Sequence, residues 1–353
     1  MKISKLPLLI IILILLVSVS SAPVSKAEGG TYRYYDTFMK AFIDLAKQYP
    51  SLISYQTVGK TVENRSIIMF TIGNPNGGKI LFDGAIHGEE SLGGELLYSY
   101  AKWLVTSNAP LANQILAATC TLIVPALDAD EYNIVRTNAH HVDLNRNFAT
   151  NWEYSGSSDP NDWYYHGPSP LSEPESQTIT RIFQAYKPKF YVNVHRGGSV
   201  LYENHYGNGT YYALLSRKMT DLSHSLNVSP YPHTTLSGPG FAMTDAAVRG
   251  ITSYLFEVMD WTTDLSLSQI DSILLPRFIS VAAVLSQECE NQGSLSEHAD
   301  INKDGTVDLY DAMVLAAAWL SRPNSPNWNV AADITGNGLV DVYDAIVLAH
   351  ELK

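Results

Sequence analysis

Five strand-length runs in this chain are apolar almost without interruption: residues 66–72, 80–86, 121–127, 190–195 and 251–258. A strand with one solvated face alternates apolar and polar residues. A run that does not alternate is buried on both faces, as in a parallel or mixed sheet covered by helices. Segments of helical periodicity separate these runs, at 34–49, 92–105, 172–186, 211–226 and 266–286. The pattern predicts one large α/β domain over residues 30–291, a mixed, largely parallel sheet between helix layers. Apolar residues make up 46% of the chain and charged residues 16%, which excludes a disordered polymer.

At the N-terminus, Lys2 and Lys5 precede an apolar run over 8–17, then a Ser-rich stretch and Ser25-Lys26-Ala27. A charged start, a short apolar middle and small residues before a cut site read as a signal peptide over 1–27. Spanning a bilayer takes about 20 apolar residues. No second segment is read as long enough, so the chain is expected to be secreted and extracellular with no membrane span after cleavage. Only a few residues separate the signal from Tyr32, so no N-terminal activation domain is expected. Removing Lys2, Lys5 and Lys26 with the signal moves the net charge from −12 to −15, which argues against nucleic acid as a partner. Cys120 and Cys289 can supply neither a disulfide framework nor a four-thiolate metal site. A single disulfide and two free thiols both remain open.

After a polar stretch over 292–296, read as a linker, the chain repeats itself over 297–353. Asp300-Ile301-Asn302-Lys303-Asp304-Gly305 returns as Asp333-Ile334-Thr335-Gly336-Asn337-Gly338. Asp300, Asn302, Asp304, Thr306, Asp308 and Asp311 occupy positions 1, 3, 5, 7, 9 and 12 of a calcium-loop template, with Gly305 at the turn. Hard cations take six to eight oxygens, which explains this spacing of carboxylates and amides. The second loop offers Asp333, Thr335, Asn337, Leu339 (through its carbonyl), Asp341 and Asp344, and is poorer in charge. Each loop runs into a helical stretch. This small all-α region resembles a type I dockerin module, which implies bound calcium (one or two ions) and docking to a cohesin-type module on a scaffold or cell-surface protein.

The larger domain carries chemistry at its strand ends. His87 follows one apolar run and Glu90 opens the next helix; His195 ends a second run and Glu257 stands near the end of a third. Ligands of open α/β sheets bind beyond the carboxyl ends of the strands, so these groups are expected in one crevice. Two histidines and a glutamate make a catalytic zinc set with an open fourth position. A separate carboxylate must then act as base, and Glu257 is the candidate.

The stretch from Arg136 through Asp143-Leu144-Asn145-Arg146-Asn147-Phe148 completes a recognisable set with Gly59-Lys60-Thr61-Val62-Glu63-Asn64-Arg65, His87-Gly88-Glu89-Glu90, Gly167–Glu175, His195 and Glu257. In this order the motifs resemble those of the zinc metallocarboxypeptidases. The resemblance implies one zinc held by His87, Glu90 and His195, with Glu257 as general base and proton donor. It also implies that Arg136 stabilises the oxyanion and that Asn145 and Arg146 bind the free carboxylate of a peptide or protein substrate. Ser172 and Glu175 are read as a capping box, and His140 and His141 as loop residues. The loop before the last strand lacks the Tyr that the family often places there. The side-chain pocket position falls at Met243-Thr244, which suggests a neutral or apolar terminal residue. Two other readings stay open: a hydrolase of the same fold acting on cell-wall peptides or acyl-amino acids, and a non-catalytic binding module displayed on a scaffold.

Overall fold

The computed structural model describes residues 32–351 apart from 208, 237, 305, 336 and 337; the expected signal peptide over 1–27 and loop position Asn337 lie outside the described residues. Eight strands form one sheet: β1 (Ile53–Lys60), β2 (Ser66–Gly73), β3 (Gly78–Gly84), β4 (Thr119–Val124), β5 (Phe190–His195), β6 (Val200–Asn204), β7 (His233–Leu236) and β8 (Thr252–Glu257). Their spatial order is β1-β2-β4-β3-β5-β8-β6-β7. The central four strands are mutually parallel, whereas β1/β2, β2/β4 and β6/β8 pair antiparallel. The sheet is therefore mixed with a parallel centre, as the uninterrupted apolar runs require.

Side-chain alternation splits each central strand between two cores. Phe190, Val192 and Val194 of β5 join Ile80 and Phe82 of β3 on one face, while Tyr191 and Leu81 face the other. The first face is covered by α1 (Tyr35–Gln48), α2 (Ser91–Thr106), α3 (Pro110–Ala118), α5 (Gly209–Ser225) and α8 (Leu275–Ala299). Residues of α4 (Pro174–Tyr186) and α6 (Ala242–Ala247) cover the second. Each fully buried Phe or Val contributes about 1.5–3 kcal/mol, and the buried polar side chains Asp83 and Asn193 of the central strands are hydrogen-bonded to each other.

Three expectations change. The capping box at Ser172 does not form: Pro174 opens α4 with Glu173 at its cap, and the Ser172 hydroxyl donates to Glu173. Proline favours the first helical position, so it moves the helix start past Ser172. Glu175 instead accepts from the Val62 N–H and the Asn138 amide. The linker over 292–296 is also helical, because α8 continues without a break to Ala299. No proline falls within 292–296, and extending a formed helix avoids the cost of nucleation. Finally, one segment beyond the N-terminus is long and apolar enough to cross a membrane. Leu267–Cys289, comprising α7 (Leu267–Gln269), a π turn (Ile270–Leu274) and the first part of α8, passes that test. Its Leu274, Phe278, Ala282, Ala283 and Leu285 are wholly enclosed in the sheet's core, which accounts for its hydropathy.

Beyond α8 lie α9 (Leu309–Ala317) and α10 (Val342–Glu351). Their small core pairs Ala299 with Ala332, Ile301 with Ile334 and Leu315 with Leu348, so the sequence repeat is also a repeat of packing positions. The loops match too. Asp311 accepts the N–H groups of Asn302 and Asp308; Asp344 accepts those of Thr335 and Asp341. α10 packs against α8 and α5.

Candidate active site

β3, β5 and β8 lie side by side, and their carboxyl ends open onto one cleft of about 430 Å³. His195 and Glu257 are register partners at the ends of β5 and β8. His87 follows β3, and a short 3-10 turn, Gly88–Glu90, brings Glu90 back beside it. That turn needs glycine at its first position. A Cβ on Gly88 would lie 2.2 Å from the Glu131 carbonyl oxygen and 2.7 Å from that of Val135.

His87, Glu90 and His195 are buried, and their donor atoms lie within 4.8 Å of one another. Nδ1 of each histidine stands 2.7 Å from a different oxygen of Glu90. The opposite nitrogens are committed elsewhere: His87 Nε2 is 3.0 Å from Asp143 Oδ1, and His195 Nε2 bonds the Asn193 side-chain oxygen. Those outer partners leave both Nδ1 atoms facing the shared carboxylate. Two imidazoles and one carboxylate, oriented from behind by hydrogen bonds, fit the donor chemistry of a zinc site with an open position. Burial opposes the charge on Glu90, but His87 and His195 outweigh it and hold the carboxyl well below its usual range.

Asp143 also receives two hydrogen bonds from Arg136, at 3.0 and 2.9 Å, and a third Arg136 nitrogen is 3.6 Å from Glu90. Behind His195, Asn193 donates to Asp83, its register partner on β3, which also accepts from the Tyr191 hydroxyl. Burial pushes Asp83 up to about 6. Neither Asp143 nor Asn193 is marked in the sequence reading as a site residue. Both left a signal: Asp143 lies inside the motif containing Asn145 and Arg146, and Asn193 precedes His195 by two, hence on the same face of β5.

Glu257 lines the cleft, and its Oε2 is buried with no hydrogen-bond partner among the described residues. Burial raises its pKa, and the nearby Glu90 charge adds to the effect. Asn145 and Arg146 line the same cleft. Asn145 accepts from the Ala242 N–H, and its Nδ2 lies 3.4 Å from His195 Nε2. Arg146 donates to the Asn145 carbonyl and, among the described residues, forms no salt bridge, although the Asp143 charge nearby favours its cation. Burial and the neighbouring Arg136 charge lower its pKa.

His140 stands apart, bonded to Glu173, and the 59–65 motif serves the scaffold: Thr61 and the Glu63 N–H both bond Asp130. Met243 and Thr244 are fully buried, and the cleft wall is formed by Tyr202, Leu236, Phe241 and Leu255. Trp163, Tyr164 and Trp261, which no sequence motif singles out, also line it and are about half exposed. Cys120 and Cys289 are buried free thiols. In the first calcium loop, Asp304 accepts from Thr306 and the Asn302 amide; in the second, the Thr335 hydroxyl donates to Asp344. Asp300, Asp333, Leu339 and Asp341 are also placed in these loops.

A sheet with these edges and a cleft with this donor set define the zinc carboxypeptidase class. Over residues 39–238 the chain matches the Peptidase M14 zinc carboxypeptidase model, and it belongs to that family. Residues 298–353 match the dockerin type I domain. Carboxypeptidase B of Astacus astacus is 27% identical over 189 residues, covering 48% of this chain and 62% of that protein. The human carboxypeptidase N catalytic chain is 26% identical over 208 residues, covering 48% and 44%. The chain thus spans less than two thirds of either relative. Among solved structures, bovine thrombin-activatable fibrinolysis inhibitor aligns with a TM-score of 0.64 at 20% identity over 74% of this chain and 98% of that one. Carboxypeptidase A of Helicoverpa armigera aligns at 0.61 and 19% identity over 76% and 78%. These likenesses establish the fold.

Proposed function

We propose that this chain is a secreted zinc metallocarboxypeptidase that hydrolyses the last peptide bond of peptides or proteins. The observation that carries this reading is Arg146, a half-buried guanidinium without an ion-pair partner among the described residues, in the same cleft as the His87, Glu90 and His195 donors and Glu257. A charge partly withdrawn from water and left without an ion pair is costly, so the cleft suits a ligand that brings its own anion. A substrate's terminal carboxylate does so, with two oxygens matched to the guanidinium fork.

Asn145 and Arg146 then hold the carboxylate and limit cleavage to the terminal bond. Arg136, kept charged against burial by Asp143 and Glu90, faces the oxygen on which negative charge develops. When bound, a single zinc supplies Lewis-acid polarisation and eases deprotonation of the attacking water. Glu257 takes that proton and returns it to the leaving amine, a role suited to a carboxylate whose pKa burial has raised. The test is a mass-spectrometric time course on a mixed peptide pool, with and without a zinc chelator. Chelator-sensitive ladders losing single C-terminal residues are expected. Intact peptides with zinc bound would shift the reading to cell-wall peptides or acyl-amino acids, and the same silence without zinc to a binding module.

The C-terminal region is proposed to bind one or two calcium ions and to attach the enzyme to a cohesin-type module outside the cell. Leu309, Tyr310 and Met313 on α9 are all more than half exposed and suit an apolar partner surface. Gel filtration with recombinant cohesin modules, in calcium and in chelator, tests this: co-elution only in calcium is expected.

A further inference from the structure

Two aromatic rings pack against the Arg146 guanidinium. Its Cζ is 4.4 Å from the Phe241 ring centre and 5.4 Å from that of Tyr164, whose ring is also 5.3 Å from Arg136 Cζ. These rings come from different loops, and each loop reaches Arg146 through a glycine in the left-handed region. Gly156 has φ +51, and a Cβ there would lie 2.2 Å from the Tyr164 carbonyl oxygen and 3.0 Å from Arg146 Cγ. Gly240 has φ +70, and a Cβ there would lie 2.4 Å from the Arg146 carbonyl oxygen. The Tyr164 loop is tied down on both sides, by Tyr164 N–H to Asp162 and by Ser157 N–H to the Tyr164 carbonyl.

An aromatic face attracts a cation without neutralising it and without occupying its N–H edge. A carboxylate in the place of either ring would fill the fork; a ring leaves it open. We propose that Phe241 and Tyr164 form a clamp that holds the Arg146 guanidinium flat and ready for the substrate's terminal carboxylate, with Tyr164 acting through its ring and not its hydroxyl. Both are positioning residues, and the proposal rests on the carboxypeptidase reading above. Pre-ordering a long side chain removes part of the entropy cost of binding. The clamp therefore belongs to affinity for the free acid and not to the chemical step.

The test uses the full-length zinc-loaded chain carrying Glu257→Gln, titrated calorimetrically with N-acetyl-Ala-Ala-Phe and with its C-terminal amide. The acid is expected to bind at least about tenfold more tightly than the amide. Adding Tyr164→Ala should cost the acid about tenfold and leave the amide unchanged, while Tyr164→Phe restores the acid's affinity; Phe241→Leu should act like Tyr164→Ala. Melting temperatures close to the parent's would show that the variants fold. A parent that prefers the acid whatever stands at 164, or a Phe variant as weak as Ala, overturns the clamp. A parent with no preference for the acid overturns the carboxypeptidase reading itself, and the clamp with it.

Discussion

At the scale of single residues, the cleft separates groups that do chemistry from groups that aim them. Glu257→Gln keeps the shape of the site and removes the base, so kcat is expected to fall by about 10²–10⁴-fold with zinc content unchanged, read by steady-state kinetics and metal analysis. Asp143→Ala acts one step further out. It frees His87 Nε2 and removes the carboxylate that Arg136 grips, so zinc affinity should weaken by about 10–100-fold in a competition titration with a chelator. Glu175 shows the opposite use of a buried acid. Burial pushes its pKa up to about 7 from 4.5, so the folded chain holds a proton that the unfolded chain releases. Stability from this group is therefore full below about pH 4.5 and declines as pH rises towards 7. Glu175→Gln should flatten that decline, raising stability at pH 8 relative to the parent by about 1–3 kcal/mol in denaturant melts compared with pH 5.

At the scale of elements, what could be read from the chain depended on how completely each element is buried. β3, β5 and β8 declare themselves because both faces are covered, and the residues at their ends mark the crevice. β1 and β7 escape because they are edge strands with mostly exposed or half-buried side chains, and their periodicity is blurred by solvent-facing residues. Asn145 and Arg146 are legible as a motif; Tyr164 and Phe241 are not, because two loops distant in sequence must fold onto Arg146 before either ring has a purpose. Glycines placed this tightly give element-level predictions. Gly88→Ala would drive a methyl into the backbone of the 131–135 loop, and the turn carrying Glu90 must shift. A loss of zinc stoichiometry is expected, accompanied by destabilisation of about 1–3 kcal/mol as for other overpacked sites, measured by metal analysis and thermal melts.

At the scale of the whole molecule, the repeat at the C-terminus was legible down to the position-12 aspartates, because a 33-residue period imposes matching residues on both sequence and packing. The boundary was not. A polar composition reads as a loop, while a helix already running from the core passes through it. Asp311 fastens two N–H groups of the first loop, so Asp311→Ala should cut the calcium-induced rise in melting temperature of that region, leaving at most the second loop's share, while peptide hydrolysis stays intact. The continuous α8 carries a mechanical consequence. Its 25 residues form an arm of about 37 Å that begins under the sheet and ends at the first calcium loop, and α10 braces it by resting on α5. An enzyme hung on a slack leash samples chain ends throughout a sphere around its mooring. One mounted on a braced strut points its opening along a bearing set by whatever it is moored to, so the orientation of the mooring selects which chain ends come within reach.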